Sequence, residues 1–297
     1  MKNLMMLIFL LTFSLLSTAQ EDDLLNELMN EVKDEVSKKE ITKATFKSTR
    51  IITAHSVEMP AHGVLEFRIS HRFGAINSGP YNFFGLDQSF IRLALEYGFF
   101  KWAAAGIGRS SFEKTVDGYL KFKLLPQSNQ VPVSIVWLST MDINTLKWEN
   151  PERKNYFSSR LAYNHQILIA RKFNEQFSLQ IMPTLTHKNL VTLNKDKNDI
   201  FSLGTGGRIK LTKRTSFNWE YFYVFPNQIF SYTYNPHYIA IGFDIETGGH
   251  VFQLQFTNSV GMIERHFITQ TQDSFFHGGI HFGFNISRVF TIKNYNK

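Results

Sequence analysis

Apolar and polar residues alternate with a period of two from about Gly63 to the end of the chain. In the first such segment Phe67 and Ile69 share one parity, whereas Glu66 and Arg68 share the other. Alternation of this kind predicts strands with one apolar face. The segments are residues 63–73, 88–97, 102–110, 115–125, 131–141, 157–170, 176–188, 200–211, 215–225, 237–245, 250–259 and 278–290. Residues 102–110 are mostly Ala and Gly, and residues 131–141 are apolar on both faces, so these two strands are the least regular.

The lengths of the segments and of their connections distinguish a membrane barrel from a soluble sheet. The segments run to about 9–13 residues, whereas soluble strands cluster near five or six and a tilted membrane-crossing strand needs about 9–11. Connections alternate between short ones (98–101, 126–130, 171–175, 212–214 and 246–249) and longer ones (74–87, 142–156, 189–199, 226–236 and 260–277), with 111–114 as the one short exception. Short periplasmic turns and long external loops are typical of outer-membrane barrels.

Aromatic residues, which make up 15% of the chain, gather at the strand ends. Rings in these positions form the girdles at the two membrane interfaces. The residues are Phe73, Phe99, Phe100, Trp102, Trp137, Tyr156, Phe157, Phe173, Phe225, Phe276 and Phe290. The predicted fold class is therefore all-β: an antiparallel up-and-down transmembrane barrel of about 12 strands, over residues 46–297.

The chain begins with features of export. Lys2 precedes an apolar stretch from Leu4 to Leu16, and small residues up to Ala19 follow. This pattern predicts a secretory signal peptide at residues 1–19 rather than a membrane anchor, because the apolar stretch is too short for a span. Residues 20–45 form a predicted periplasmic leader, in which residues 21–40 have the spacing of a short helix. That helix either plugs the barrel or docks on a partner, or it remains a solvated leader.

Charge adds a prediction about the interior. Residues 46–297 hold 27 Lys and Arg against 17 Asp and Glu, although the whole chain has a net charge of only +7. Charged residues of the barrel fall in the parity opposite to the large apolar ones, and an Arg facing lipid at the midplane would cost about 2–4 kcal/mol. The candidate lumen-lining residues are Glu66, Arg68, Arg72, Arg92, Glu96, Asp117, Lys121, Lys123, Arg208 and Lys210. They predict either a channel surface that favours anions or an internal ion-pair network that fills the barrel.

Three stretches resemble a known family: Thr45–Gly74, Phe84–Gly98 (FGLDQSFIRLALEYG) and Gly106–Leu125. They are similar to a Bacteroidota family of outer-membrane β-barrels that is classified as a domain of unknown function. The resemblance implies a barrel in the envelope of a Gram-negative cell. It implies no activity and no functional residues.

Catalytic, cofactor and metal sites are not predicted. None of the ten His has a Ser two positions later, which is the spacing of the outer-membrane lipid hydrolases, and His55-Ser56 is an adjacent pair that would face opposite ways. His71, His266, His277 and His281 could meet at a metal, but three or four convergent ligands are needed. The glycines of Gly204–Gly207 precede no predicted helix, so they favour bending or close packing over phosphate binding.

The sequence therefore predicts a non-catalytic outer-membrane barrel, either a small channel or a binding scaffold with a basic polar lumen. Its expected partners are outer-membrane lipid, the barrel-insertion machinery and a small anionic solute, and nucleic acid is not among them. Two further functions stay open: an outer-membrane lipid-modifying enzyme, and a soluble periplasmic barrel that binds an apolar ligand.

Overall fold

Twelve antiparallel strands form a closed barrel in the computed structural model, which describes residues 40–248 and 250–293. Each strand pairs with the next along the chain, and the first pairs with the last. The strands are β1 (Val64–Ala75), β2 (Ser89–Phe100), β3 (Ala103–Ser110), β4 (Val116–Leu125), β5 (Ser134–Ile143), β6 (Leu161–Lys172), β7 (Phe177–Lys188), β8 (Asp199–Lys210), β9 (Thr215–Val224), β10 (His237–Thr247), β11 (His250–Thr257) and β12 (His281–Thr291). The predicted fold class is confirmed.

Helices are few and short. The α-helix α1 (Glu264–Thr269) lies in the β11–β12 connection. The 3-10 turns are Ile76–Ser78, Pro80–Gly85, Phe112–Lys114, Phe157–Arg160 and Phe275–His277. No helix in the described part of the chain is long and apolar enough to cross a membrane, a finding that does not concern crossing by strands. The predicted signal peptide and the 21–40 helix, except for residue 40, lie outside the described residues.

Residues 40–41 and 128–130 form a small unit of their own, in which Ile41 and Ser128 make an antiparallel bridge. The barrel unit comprises residues 42–127 and those from 131 onward. Its connections alternate as the sequence predicts. We call the end with the short connections the short-loop end and the opposite end the long-loop end.

The outward face of the barrel is apolar. On β2, for example, Leu93 and Leu95 are each 45% exposed, while Arg92 and Glu96 of the opposite parity are buried. Near the short-loop end, four rings stack in sequence around the outside: Phe100 on Trp102, Trp102 on Phe122, and Phe122 on Trp137, with centroids 5.2, 6.1 and 5.7 Å apart. So much exposed apolar surface is unstable in water and suits a lipid environment.

The inward face is divided between a charged side and an apolar side. The buried side chains of β1, β11 and β12 are polar or charged, whereas β5 to β10 carry a buried apolar cluster together with polar residues such as Gln180, Arg208 and Glu220. The wall residues of that cluster are Val136, Leu138, Leu168, Ala170, Met182, Ile200, Phe222, Val224, Tyr238 and Ala240. A cluster of this kind needs apolar partners inside the lumen, and two inserted segments supply them.

Candidate functional site

Residues 42–63, which we call the lumen loop, enter the barrel and leave it at the short-loop end. The Thr42 N–H donates to the carbonyl oxygen of Gln127 in the β4–β5 connection, and the Gly63 N–H donates to that of Gly98 near the β2–β3 turn, both at 2.9 Å. Between these points the loop folds back on itself through an antiparallel bridge of Arg50 with His55. Almost every side chain from Thr45 to Val57 is buried.

The tip of the lumen loop is held by one carboxylate of the wall. The backbone N–H groups of Ile52, Thr53 and Ala54 donate to Oε1 of Glu220 on β9, at 2.6, 3.0 and 2.9 Å. Three successive donors on one carboxylate satisfy backbone groups that would otherwise be buried without partners. Glu220 therefore fixes how far the loop extends into the barrel.

Wall side chains also bind the carbonyl groups of the lumen loop. Lys121 Nζ donates to the carbonyl oxygens of Ser56 and Glu58, at 2.9 and 2.8 Å. Amide side chains donate to three further carbonyls of the loop: Gln253 to Ile51, Asn285 to Ile52 and Gln180 to His55, at 3.0, 2.9 and 2.7 Å. The loop has no regular secondary structure, so the wall supplies the partners that its own backbone lacks.

Charged contacts join the loop to β1 and β2. The Arg50 guanidinium lies 2.7 Å from Glu96, which also accepts a hydrogen bond of 2.8 Å from the Thr49 hydroxyl. Arg68 pairs with Glu66 and donates to the Thr49 hydroxyl at 2.7 Å. These charged groups are buried away from water. A buried charge without a partner would cost several kcal/mol, so the contact between loop and wall depends on each charge having its partner.

Eight of the ten sequence-predicted lumen residues are buried, and they fall into two groups. Arg92 on β2 and Asp117 on β4 form a hydrogen bond of 2.9 Å across β3. Gly108 of β3 lies between them, and only glycine fits there, because a Cβ would lie 2.5 Å from the Arg92 guanidinium. The other six contact the lumen loop directly or through a neighbour: Glu66, Arg68, Arg72, Glu96, Lys121 and Arg208. Lys123 and Lys210 are half-buried and make no side-chain hydrogen bond or ion pair with described residues.

Several buried charged residues, and the place of the lumen loop, were not predicted from the sequence. Among the described residues, the buried Lys and Arg number eight and the buried Asp and Glu also number eight, so the buried charge is balanced rather than basic. The acids that were not predicted are Asp142, Asp196, Glu220, Asp244 and Glu264. Glu220 and Asp244 have the inward parity of their strands, and this could have indicated their burial. The lumen loop has no periodicity that could have indicated its place.

A second inserted segment, residues 258–271, enters from the long-loop end and carries α1. Arg265 of α1 donates to Asp142 on β5 at 2.5 Å and to Glu113 of the β3–β4 connection at 2.9 Å. Phe267 packs edge-on against Phe222 of the apolar cluster, with ring centroids 5.2 Å apart. We call this segment the inserted loop.

Two titratable groups sit where the inserted loop meets the β3–β4 connection. Burial and the adjacent Arg265 lower the pKa of His266 to about 4. Burial acts to raise the pKa of Glu113, but the contacts with His266 and Arg265 outweigh it and hold that pKa at about 2. Glu113 has a backbone φ of +51°, a conformation that non-glycine residues adopt at a cost of about 1–3 kcal/mol. The strained turn thus directs a charged carboxylate to the inserted loop.

The two inserted segments meet inside the barrel and leave almost no space between them. The remaining cavity at the junction has a volume of about 10 Å³, which is room for about one water molecule. It is lined by residues of both segments and of the wall, among them Arg50, His55, Arg92, Asp117 and Glu264. At this junction the two insertions and the wall are closely packed.

The family model described as "Membrane bound beta barrel domain (DUF5777)" matches residues 46–290. The chain belongs to this family. The match includes residues 46–63 of the lumen loop, the inserted loop and all twelve strands except the last residue of β12. Both insertions therefore fall within the matched domain.

Solved structures with a similar outline include porins, all at low identity. The NanC porin is 8% identical, covers 77% of this chain and 100% of its own, and gives a TM-score of 0.47. The KdgM porin is 9% identical, covers 76% of this chain and 99% of its own, and gives a TM-score of 0.46. An outer-membrane channel from Pseudomonas putida F1 is 12% identical, covers 78% of this chain and 97% of its own, and gives a TM-score of 0.46. No curated protein matches the chain.

The four histidines considered for a metal lie apart from one another. His281 contacts Asp273, His277 contacts Ser274, and His266 contacts Thr115. His71 stacks on Phe284 of the neighbouring strand, with ring centroids 5.2 Å apart. Within residues 40–248 and 250–293, no three His, Asp or Glu side chains are arranged to hold a metal ion. The glycines at 204 and 206 have a packing role, because a Cβ on Gly206 would lie 2.7 Å from Ile51 of the lumen loop.

Proposed function

We propose that the protein is a non-catalytic outer-membrane barrel that acts as a gated passage for a small solute, with the lumen loop as its gate. The observation that carries the proposal is the course of that loop. Both of its ends lie at the short-loop end, so it can withdraw through that mouth without passing a free chain end through the barrel. A permanently threaded terminus would lack this freedom.

The contacts of the loop favour a gate that opens rarely. Polar side chains hold it to nine of the twelve strands within the described residues. Each such hydrogen bond contributes about 0.5–1.5 kcal/mol net, or more where a charge is involved. Opening must therefore be driven by a ligand, a partner or a membrane potential rather than by thermal motion alone. We propose that the short-loop end faces the periplasm, that residues 1–19 serve for export and that the barrel-insertion machinery assembles the chain.

A disulfide lock tests this proposal, because the chain has no Cys of its own. A Cβ on Gly206 would lie 2.7 Å from Cδ1 of Ile51, so the double variant Ile51→Cys with Gly206→Cys should form a bond across loop and wall on oxidation. We expect openings in planar bilayers with the reduced protein, none after oxidation, and their return on reduction. The single Cys variants should not respond to oxidation.

Two outcomes contradict the gate. Openings that persist in the oxidised double variant would show that solute passes without displacing the loop. Complete absence of conductance in the reduced protein, and in a Glu220→Gln variant that loosens the tip, would favour the second candidate, a permanently filled scaffold. The dense charge network of the lumen is the observation in favour of that second function.

A lipid-modifying enzyme and a soluble carrier have less support. Ser274 Oγ lies 2.8 Å from His277 Nδ1, but the two residues share one turn, His277 is exposed, and it has no carboxylate partner among the described residues. The Ser56 hydroxyl donates to the Ser48 carbonyl rather than to His55. Lipid turnover by the purified protein would revive the enzyme. A soluble barrel conflicts with the apolar outer face and with membership of a membrane-bound family.

A further inference from the structure

A cavity of about 540 Å³ opens at the long-loop end, between the β5–β6 and β7–β8 connections. Arg265 and Gln270 of the inserted loop contribute to its floor, and Lys188 at the end of β7 contributes to its wall. The cavity lies outside the closed junction of the lumen, so a ligand could occupy it while the barrel stays shut. We call it the mouth cavity.

The mouth cavity is strongly basic. Six cationic residues line it, namely Lys147, Arg153, Lys154, Arg160, Lys188 and Arg265, against two acids, Glu113 and Glu149. Arg265 and Glu113 neutralise each other at 2.9 Å. None of the other five cations has a carboxylate within 4.0 Å among the described residues. The surplus of basic residues noted in the sequence is thus partly concentrated here rather than in the lumen.

Lys188 lacks the partner that its burial calls for. The residue is only 9% exposed, yet its ammonium group makes no hydrogen bond or ion pair with any described residue. The nearby Asp196 makes no ion pair with it, and the two oxygens of Asp196 accept the N–H groups of Leu193 and Phe230 at 3.0 and 2.9 Å. The ammonium nitrogen is not among the fully buried atoms that lack a partner, so it reaches the cavity, where an anion would supply the ion pair that it lacks.

Gln270 supplies an unpaired acceptor in the same place. Its amide nitrogen donates to Glu113 at 3.0 Å, but its buried Oε1 has no donor. Aromatic surface lies near the rim: Tyr156 is 57% exposed, and the Arg160 guanidinium lies 3.8 Å from the centroid of Trp148. A ligand that matches these features carries an anionic group, hydroxyl donors and a ring with an apolar face.

We propose that the mouth cavity binds a small sugar acid. The carboxylate meets Lys188, a hydroxyl donates to Gln270 Oε1, and the ring lies toward the aromatic rim. A cavity of this volume is at the lower end of the range for small-molecule sites, which fits a mono- or disaccharide. This binding goes beyond the gated passage and does not require the lumen to open.

Calorimetric titration of the folded full-length protein in a nonionic detergent tests the site, with D-glucuronate as probe and D-glucose as its neutral match. We expect saturable binding of glucuronate that weakens with salt, and none of glucose. Lys188→Met should lower the affinity about tenfold or more, since a hydrogen bond to a charged group contributes about 1.5–3 kcal/mol. Lys213→Met, in an exposed turn at the short-loop end, is the matched control and should bind as the unchanged protein does.

Further arms separate a sugar acid from a bare anion. Acetate and inorganic phosphate should compete weakly, and Gln270→Leu should lower the affinity for glucuronate without changing that for phosphate. Equal binding of glucuronate, acetate and phosphate would overturn the sugar part of the proposal. Equal binding to the Lys188→Met protein, or binding of glucose as tight as that of glucuronate, would overturn the site itself. Faster migration of unboiled samples on gels shows that each variant is folded.

Discussion

His55 Nε2 of the lumen loop lies 3.8 Å from Glu264 Oε1 of the inserted loop, and this contact is where the two insertions meet. Burial holds the pKa of His55 well below its usual value, with Arg50 adding to the effect, so the imidazole is neutral at pH 7. Burial also raises the pKa of Glu264. The junction therefore joins the two insertions without a strong ion pair, whereas each insertion is held firmly by the wall.

The hydrogen bonds from the tip of the lumen loop to Glu220 predict that the tip becomes less well held when the carboxylate is neutralised. Glu220→Gln replaces the carboxylate by one amide oxygen, so the three N–H donors lose a charged acceptor and the closed state loses about 1.5–3 kcal/mol. In an Ala54→Cys background we expect maleimide labelling of the tip to become about tenfold faster or more. Glu152→Gln, in an exposed loop, should leave the rate unchanged. An unchanged rate in Glu220→Gln would mean that the carboxylate does not position the tip.

The buried pair of Arg92 and Asp117 predicts that substitutions of the two residues have strongly non-additive effects on the free energy of unfolding. Arg92→Met alone leaves a carboxylate buried without a partner and should lower the free energy of unfolding by about 3–5 kcal/mol. Arg92→Met combined with Asp117→Leu removes both charges and should recover most of this loss. Urea unfolding in lipid vesicles measures the four corners of the cycle. Additive effects would show that the two residues do not interact in the membrane.

His266 predicts a loss of order at the inserted loop as the pH falls. Its pKa in the folded protein is about 4, below the usual value of about 6.5. Between these values the released histidine binds a proton and the buried one does not, so the stabilisation is complete above pH 6.5 and lost toward pH 4. A pKa difference of this size corresponds to about 3 kcal/mol. The protection factors of the amides of residues 258–271, which are exchange rates corrected for the intrinsic pH dependence of exchange, should fall as the pH is lowered across this window.

His266→Gln is the control for this pH effect. It removes the titrating group, so the protection factors of the inserted loop should no longer fall as the pH is lowered from 6.5 to 4. Part of the contribution of Glu113 should remain, because Arg265 still lowers its pKa, and that part stabilises the loop above about pH 4.5 and is lost at lower pH. A variant with the same pH dependence as the unchanged protein would assign the effect to another group.

Leu95 predicts how the outer face responds to charge. The side chain is exposed on β2, so Leu95→Arg would be nearly neutral in a water-soluble protein. In a bilayer the same substitution near the midplane should lower the free energy of unfolding by about 2–4 kcal/mol. Leu146, equally exposed but in the β5–β6 connection, is the matched control, and Leu146→Arg should have little effect. Equal tolerance at both positions would argue that β2 does not face lipid.

The alternation of residues was enough to predict all twelve strands, including the two irregular ones, and the structure explains their irregularity. Residues 131–141 are apolar on both faces because Val136 and Leu138 of β5 pack into the apolar cluster of the lumen. The Ala and Gly of β3 leave room for larger neighbours, since a Cβ on Gly106 would lie 2.3 Å from the Tyr119 ring. Each departure from strict alternation thus marks a packing requirement inside the barrel.

The filling of the lumen was not predictable in the same way. Parity places Glu66, Arg68 and Glu96 on the inner face, but it does not tell whether they meet water or another segment of the chain. In the lumen loop, Arg50 stands beside Ile51 and Ile52, so charged and apolar residues follow no regular period. The reason is that the loop contacts charged and apolar parts of the wall at the same time. Non-periodic segments are positioned by tertiary contacts, so their place requires the structure.

The position of the lumen loop directly before β1 also constrains the order of assembly. Arg68 and Arg72 on β1 and Gln253 and Asn285 on β11 and β12 come together only when β1 meets β12 and the cylinder is sealed. The surface that grips the loop from this side is thus incomplete in an open, partly inserted sheet. Because the loop begins and ends at one mouth, its contacts with β1, β11 and β12 can form last, after the first and last strands have joined.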